Sequence, residues 1–309
     1  MKQKPGKKII VAALLLMGTA AGAPSAFAGE KPADGIRLEL GGGAYYSKNN
    51  FDRKRDDASG ETREGYYLLS VPLTLSWKHY LDEHTYAAPY LDLAVTHDFG
   101  EASRNRHYWS NSQVAGVGFR LGTEHSYIGR NGEYLGGLYA SLYSEYQVMS
   151  SSIDRSKQEI PEDNATENFK SGVSMWYSRS YPVASGTSFW TELWGEFAYH
   201  STSFSQKGEG DYLLATVAPK VGVSFDAGKI AVEPYLKAEL VNDFLGKEWN
   251  REPWLNYLQY GPGLRIALGK ILPGNVYLYA EYLHVGYFDK KQEASDDVRA
   301  GVSFWIPIL

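Results

Sequence analysis

Between Tyr66 and His79 every second residue is apolar: Tyr67, Leu69, Val71, Leu73, Leu75 and Trp77, with Ser70, Thr74, Ser76 and Lys78 between them. Such alternation gives a β-strand one apolar and one polar face. The pattern returns along the chain. In Tyr86–Thr96, Leu91, Leu93 and Val95 oppose Tyr90, Asp92 and Thr96. In Ser188–His200, Phe189, Leu193 and Phe197 oppose Glu192, Glu196 and His200. Leu213, Ala215, Val217, Val221, Val223 and Phe225 share one face of Asp211–Phe225, and Ile230, Val232, Leu236, Ala238 and Leu240 oppose Glu233, Tyr235, Lys237 and Glu239. Weaker versions begin near Ile36, Val114, Leu135, Phe169, Tyr257, Val276 and Val298. This makes about 12 strands of about 10 to 15 residues, longer than the roughly five or six of soluble sheets. No segment carries a capped apolar stripe of helical period.

The connections alternate in length. Long polar ones are expected at Ser47–Glu64, Asp98–Asn111, Ser150–Asn168, Ser201–Gly210, Asn242–Leu255 and Asp289–Asp297. Short ones fall between them, at Leu81–His84, Ser126–Glu133, Tyr181–Thr187, Asp226–Gly228 and Lys270–Gly274, with turn formers such as Asn131-Gly132 and Pro273-Gly274. A soluble β-sandwich would show shorter strands and no such asymmetry. Long strands with alternating long and short connections predict an all-β fold: a transmembrane up-and-down antiparallel β-barrel, both termini periplasmic.

The first 28 residues supply the export route. Lys2, Lys4, Lys7 and Lys8 precede the apolar run Ile9–Met17, which is too short to span a bilayer, and Ala26-Phe27-Ala28 fits a signal-peptidase site. The expected organisation is therefore a cleaved signal peptide over 1–28 and one outer-membrane barrel domain over 29–309. The remainder holds 27 basic and 36 acidic residues, a net charge of −9. A chain so acidic repels phosphates, which argues against nucleic acid as a partner. It has no cysteine, so disulfides, thiolate metal sites and cysteine nucleophiles are excluded.

With apolar residues facing lipid, the complementary set faces the lumen. Its acids are Glu39, Asp92, Glu145, Glu192, Glu196, Glu233, Glu239 and Glu281, and its bases are Arg37, Lys78, Arg120, Lys170, Lys220, Lys237, Arg265 and Arg299. That balance predicts no net field for selecting ions. Glu233 and Lys237 are too far apart on one strand to touch, so bridges to neighbouring strands are expected. The aromatic residues of this face are Tyr90, Tyr139, Tyr143, Trp176, Trp190, Trp194, Tyr235, Tyr257, Tyr277 and Tyr279. Aromatic faces stack on sugar C–H faces while charged groups bond hydroxyls. The expected substrate path is Tyr143, Glu145, Trp190, Glu192, Trp194, Glu196, Glu233, Tyr235, Lys237, Glu239 and Arg265. Twelve strands tilted near 40° give a backbone radius of roughly 12 Å. In the first long connection, Arg53-Lys54-Arg55 followed by Asp56-Asp57 reads as a solvated loop, with a mouth plug or lipopolysaccharide contact as the other options.

Signatures of catalysis are weak, and the expectation is no enzyme, no cofactor and no metal. His125-Ser126 and His200-Ser201 are adjacent and point to opposite faces. The nearest approach to the His-x-Ser spacing of twelve-stranded outer-membrane phospholipases is His200 with Thr202. Glu192 and Glu196 would lie about 13 Å apart on a strand, beyond the roughly 6.5–9.5 Å of an inverting glycosidase pair. Gly41-Gly42-Gly43 lies inside a strand and reads as a place of close wall packing rather than a phosphate loop.

The closing segment, with Val298, Ala300, Val302, Phe304, Ile306 and Ile308 on one face, resembles the terminal strand of Gram-negative outer-membrane β-barrels, although it ends Trp305-Ile-Pro-Ile-Leu309 where that family ends in Phe or Trp. Tyr260-Gly-Pro-Gly-Leu-Arg265, the strand around Tyr277–Tyr287 and the closing strand also resemble the ends of exopolysaccharide-export and phage-adsorption barrel domains. That resemblance implies a porin-like channel for saccharide or exopolysaccharide, set in outer-membrane lipid and lipopolysaccharide, with a separate periplasmic export partner. The alternatives are a non-conducting surface receptor or structural barrel and an outer-membrane lipid-modifying enzyme.

Overall fold

The computed structural model describes residues 32–49, 66–99, 112–151, 165–205, 208–245, 256–269, 271–288 and 294–309. Twelve strands follow in order: β1 (Gly35–Asn49), β2 (Tyr66–Tyr80), β3 (Thr85–Asp98), β4 (Ser112–Ile128), β5 (Tyr134–Ser151), β6 (Ala165–Ala184), β7 (Thr187–Ser205), β8 (Gly208–Ala227), β9 (Ile230–Asp243), β10 (Asn256–Ala267), β11 (Asn275–Tyr287) and β12 (Ser295–Pro307). Each pairs antiparallel with its sequence neighbours, and β12 pairs with β1 to close the barrel. The signal segment, the Arg53-Lys54-Arg55 run and most of the long connections lie outside the described residues. The Ser201–Gly210 connection is a correction: β7 and β8 run on through it to a Ser205–Gly208 pairing.

Five breaks in the ladders coincide with prolines inside strands. Pairs are missing beside Pro72 between β1 and β2, Pro89 between β2 and β3, Pro219 and Pro234 between β8 and β9, and Pro262 between β10 and β11. Proline removes one N–H donor. Each ladder resumes in unchanged register, so the strand keeps its faces.

The exposed large apolar residues of the strands stand almost without exception on the outside, among them Trp77, Val95, Val117, Phe119, Leu142, Phe197, Leu236 and Leu264. Tyr46, Tyr67, Tyr146, Tyr199, Tyr260 and Tyr282 ring the exterior toward the end with the long connections. Trp77, Tyr134, Tyr181, Phe189 and Phe225 ring it toward the end with the short turns. An apolar band between two aromatic girdles suits hydrocarbon, not water. With no open sheet edge, every wall strand can bond its neighbours inside that band. The chain is a membrane-spanning β-barrel.

Followed strand by strand around the closed sheet, the registers accumulate a stagger of about 20 residues, which sets the tilt near 49° and the backbone radius near 14 Å. The barrel is thus wider than the roughly 12 Å expected from a 40° tilt. At the turn end, Leu81–His84 is tightened by Asp82, whose carboxylate accepts from the backbone N–H groups of His84 (2.8 Å) and Thr85 (2.7 Å). Those two bonds hold the Asp82 carboxyl below its ordinary range.

Candidate functional site: the lumen wall

Register fixes which glycines meet which rings. Tyr90 of β3 stands opposite Gly118 of β4, which stands opposite Glu145 of β5. Tyr235 of β9, Gly263 of β10 and Glu281 of β11 form the same row. A Cβ on Gly118 would lie 2.4 Å from the Tyr90 ring, and one on Gly263 would lie 2.4 Å from the Tyr235 ring. Each ring therefore lies against the glycine of the next strand, and its phenol donates to the carboxylate one strand further on: Tyr90 to Glu145 at 3.3 Å, Tyr235 to Glu281 at 2.7 Å. Tyr143 on β5 lies opposite Gly172 of β6 and donates to Glu196 of β7 at 2.6 Å. Trp190 likewise leaves no room for a side chain at Gly222. Aromatic bulk is folded onto the wall, away from the axis.

Four of the expected path residues are therefore masonry rather than free surface. Tyr143, Trp190 and Tyr235 are only 8, 5 and 6% exposed, and Glu145, 5% exposed, accepts from Tyr90 and from Gln147. Arg265 is the keystone of one side. Its guanidinium bonds Glu233 from the adjacent strand and reaches Glu192 of β7 at 2.8 Å, while stacking on Trp190 (3.9 Å) and Tyr277 (4.4 Å). Lys237 bridges Glu281 at 3.3 Å and Glu239 at 3.5 Å, and Tyr257 donates to Glu239 at 2.6 Å. Glu233 thus bonds the neighbouring strand as expected, whereas Lys237 reaches past β10 to Glu281 of β11 and also to Glu239 on its own strand. Lys170 bonds Glu196 at 2.7 Å. Trp194 differs from all of these: it faces inward, opposite Trp176, and remains 41% exposed.

The balanced charge count needs correction. Glu124, Asp243 and Asp297 also face the lumen. Glu124 accepts from Lys78 at 2.6 Å and from Tyr80, while Asp297 accepts from Ser47 at 2.7 Å and Arg299 at 2.5 Å. All three sit toward strand ends, where the alternation is weaker. With no added base among the described residues, the wall is net acidic.

Two groups on the β3–β4 side keep unpaired polar atoms. Asp92 stands opposite Thr74, whose hydroxyl bonds its carboxylate, yet Asp92 Oδ1 has no hydrogen-bond partner. Arg120 lies over the Tyr90 ring at 4.6 Å, and its Nε also lacks a partner. Both were legible as lumen residues, but the unpaired atoms themselves are buried in the wall. Further toward the long-connection end, Asn168 Nδ2 donates to His200 Nδ1 at 3.3 Å and Gln147 Oε1 at 2.9 Å, with Tyr212 stacked on the imidazole at 4.3 Å. The bonded partner of His200 is thus an amide. Among the described residues no group of three His, Asp or Glu side chains is placed to hold a metal ion.

No known protein family and no curated protein matches the chain. Solved structures do. An outer membrane channel from Pseudomonas putida F1 is 9% identical over 93% of this chain and 100% of its own, with a TM-score of 0.43. The β-domain of the Bordetella autotransporter BrkA is 14% identical over 88% of this chain and 99% of its own, at 0.36. LpxR from Salmonella typhimurium is 11% identical over 86% of this chain and 99% of its own, at 0.32.

Proposed function

We propose that this barrel is a non-enzymatic outer-membrane channel that passes saccharides, with the termini and short turns in the periplasm. The observation that carries the reading is the contrast on the inner wall. Tyr86, Tyr90, Trp190 and Tyr235 are laid against glycines, which keeps their rings on the wall, whereas Trp194 alone among the expected path aromatics offers a large open face. An exposed indole between Glu192 and Glu196 on the same strand face combines a stacking surface with hydroxyl acceptors. The acidic wall disfavours anionic solutes. In this reading Tyr143, Glu145, Trp190, Glu233, Tyr235, Lys237, Glu239 and Arg265 shape the bore, and Trp194 with the open edges of Glu192 and Glu196 meets the solute. Polysaccharide export with a periplasmic partner is the larger-scale version of the same passage.

The test is single-channel recording of refolded protein in planar bilayers with maltotriose added. Steady openings that maltotriose interrupts support the reading. A barrel that inserts but never conducts overturns it in favour of a receptor or anchor.

A further inference from the structure

Among the described side chains, Arg179 is the only lysine or arginine on the outer face of any strand; the other strand cations point into the lumen. It stands toward the short-turn end of β6, beside Tyr181 of the aromatic girdle there. The outward acids of the strands, Glu167, Asp211 and Asp296, lie at the opposite end. Tyr127, Gly136 and Arg179 form one outer row across β4, β5 and β6. Gly136 has a φ of +127°, and a Cβ there would lie 2.2 Å from the Ser178 carbonyl oxygen, so no side chain stands between the Tyr127 ring and Arg179. The guanidinium lies over that ring at 4.5 Å and 5.5 Å from the centre of the Tyr181 ring. Its Nε is buried and unpaired, whereas its two terminal nitrogens are not buried in this way and bond no described residue. Among the described residues no carboxylate forms an ion pair with it.

We infer that Arg179, braced on Tyr127 and Tyr181, is a docking site for the phosphate of a membrane phospholipid in the leaflet at the short-turn end. The inference needs only the membrane-spanning barrel and stands apart from the channel reading. A cation facing the edge of the hydrocarbon is costly unless something negative meets it. The faces of the two rings supply part of that, and they fix the guanidinium against the wall before a lipid arrives. What remains open is the edge that carries the terminal N–H groups. That edge matches two oxygens of one phosphate side by side. The level agrees, because aromatic girdles mark the depth at which headgroups begin. The hydroxyls of Tyr177 and Tyr181, 3.3 Å apart, belong to the same polar rim. With the outward acids at the other end of the barrel, nothing described on this rim competes with a phosphate for the cation.

The experiment is native mass spectrometry of the barrel released from detergent micelles that contain dioleoylphosphatidylglycerol or dioleoylglycerol, which has the same chains and no phosphate. Wild type is compared with Arg179→Gln, Arg179→Lys, Tyr127→Leu and, as a cation on a short turn, Lys229→Gln, each checked for the heat-modifiable mobility of a folded barrel. Wild type is expected to retain phosphatidylglycerol about fivefold more than dioleoylglycerol, and Arg179→Gln to lose that preference. Arg179→Lys should keep part of it, because a lysine supplies the charge without the planar fork, and Tyr127→Leu should fall between the two. Lys229→Gln should behave as wild type. An unchanged preference in folded Arg179→Gln, or an equal loss in Lys229→Gln, overturns the site in favour of diffuse attraction. Broadening of the phosphorus resonance of inorganic phosphate by wild type, not relieved by phosphatidylglycerol, assigns Arg179 to free anions and overturns the lipid reading.

Discussion

The two sides of the lumen wall are built from the same residue types and spend them differently. Between β7 and β12 two bases are each held by two carboxylates: Arg265 by Glu192 and Glu233, Lys237 by Glu239 and Glu281. The Arg265–Glu192 contact bridges strands that are not neighbours, so it acts as a brace across that side. Between β3 and β4, Arg120 rests on an aromatic ring and Asp92 on a threonine, and each keeps an unpaired atom. Charge that is fully paired stiffens a wall. Charge left half-paired contributes less, and the wall contains both.

The largest expected effect comes from breaking the brace. Arg265→Met leaves Glu192 and Glu233 without their cation and is expected to cost about 3–5 kcal/mol. Arg120→Met, on the open side, should cost less than half as much. Urea unfolding in lipid vesicles, followed by tryptophan fluorescence, checks the pair, and equal losses would erase the distinction between the walls. Next comes Tyr235→Phe, which removes the phenol donated to Glu281 and should cost about 1.5–3 kcal/mol in the same assay. Gly263→Ala places a methyl against the Tyr235 ring and should cost about 1–3 kcal/mol. The double variant Gly263→Ala/Tyr235→Ala should recover part of that loss, because the ring that the methyl meets is gone. Full additivity there would mean that ring and glycine do not pack as described.

The smallest effect lies outside the membrane. Asp82→Ala removes two backbone acceptor contacts from the Leu81–His84 turn and should lower the unfolding midpoint slightly at neutral pH. Because the folded-state pKa of Asp82 is depressed, its contribution is present above the ordinary Asp range and is lost as pH falls through the depressed value. The gap between wild type and Asp82→Ala should therefore close on acidification. A gap that widens in acid would contradict the turn geometry.

Strands and faces were legible in the sequence because a period of two sustained over a dozen or more residues has one consistent reading. Every charged residue assigned inward by alternation lies on the inner face, as do all ten aromatics. The division of labour among them was not legible. Tyr90, Gly118 and Glu145 are unremarkable apart; only the register of three strands aligns them, and register is a property of pairs. The same holds for Arg265 and Glu192, which are brought together by closure and stagger. Glu124, Asp243 and Asp297 escaped because strand ends carry weaker alternation. The Ser201–Gly210 stretch reads as a loop because Ser, Thr and Gly are turn formers, yet both strands continue into it as far as the Ser205–Gly208 pair.

The absence of native cysteine makes the inner face directly addressable, since an introduced thiol is the only one. Trp194→Cys can be exposed to a positively charged methanethiosulfonate during single-channel recording, with Phe197→Cys as the lipid-facing control. The account predicts a stepwise fall in conductance for Trp194→Cys and no change for Phe197→Cys. A response from Phe197→Cys and none from Trp194→Cys would contradict the assignment of a charged, aromatic face to a water-filled lumen.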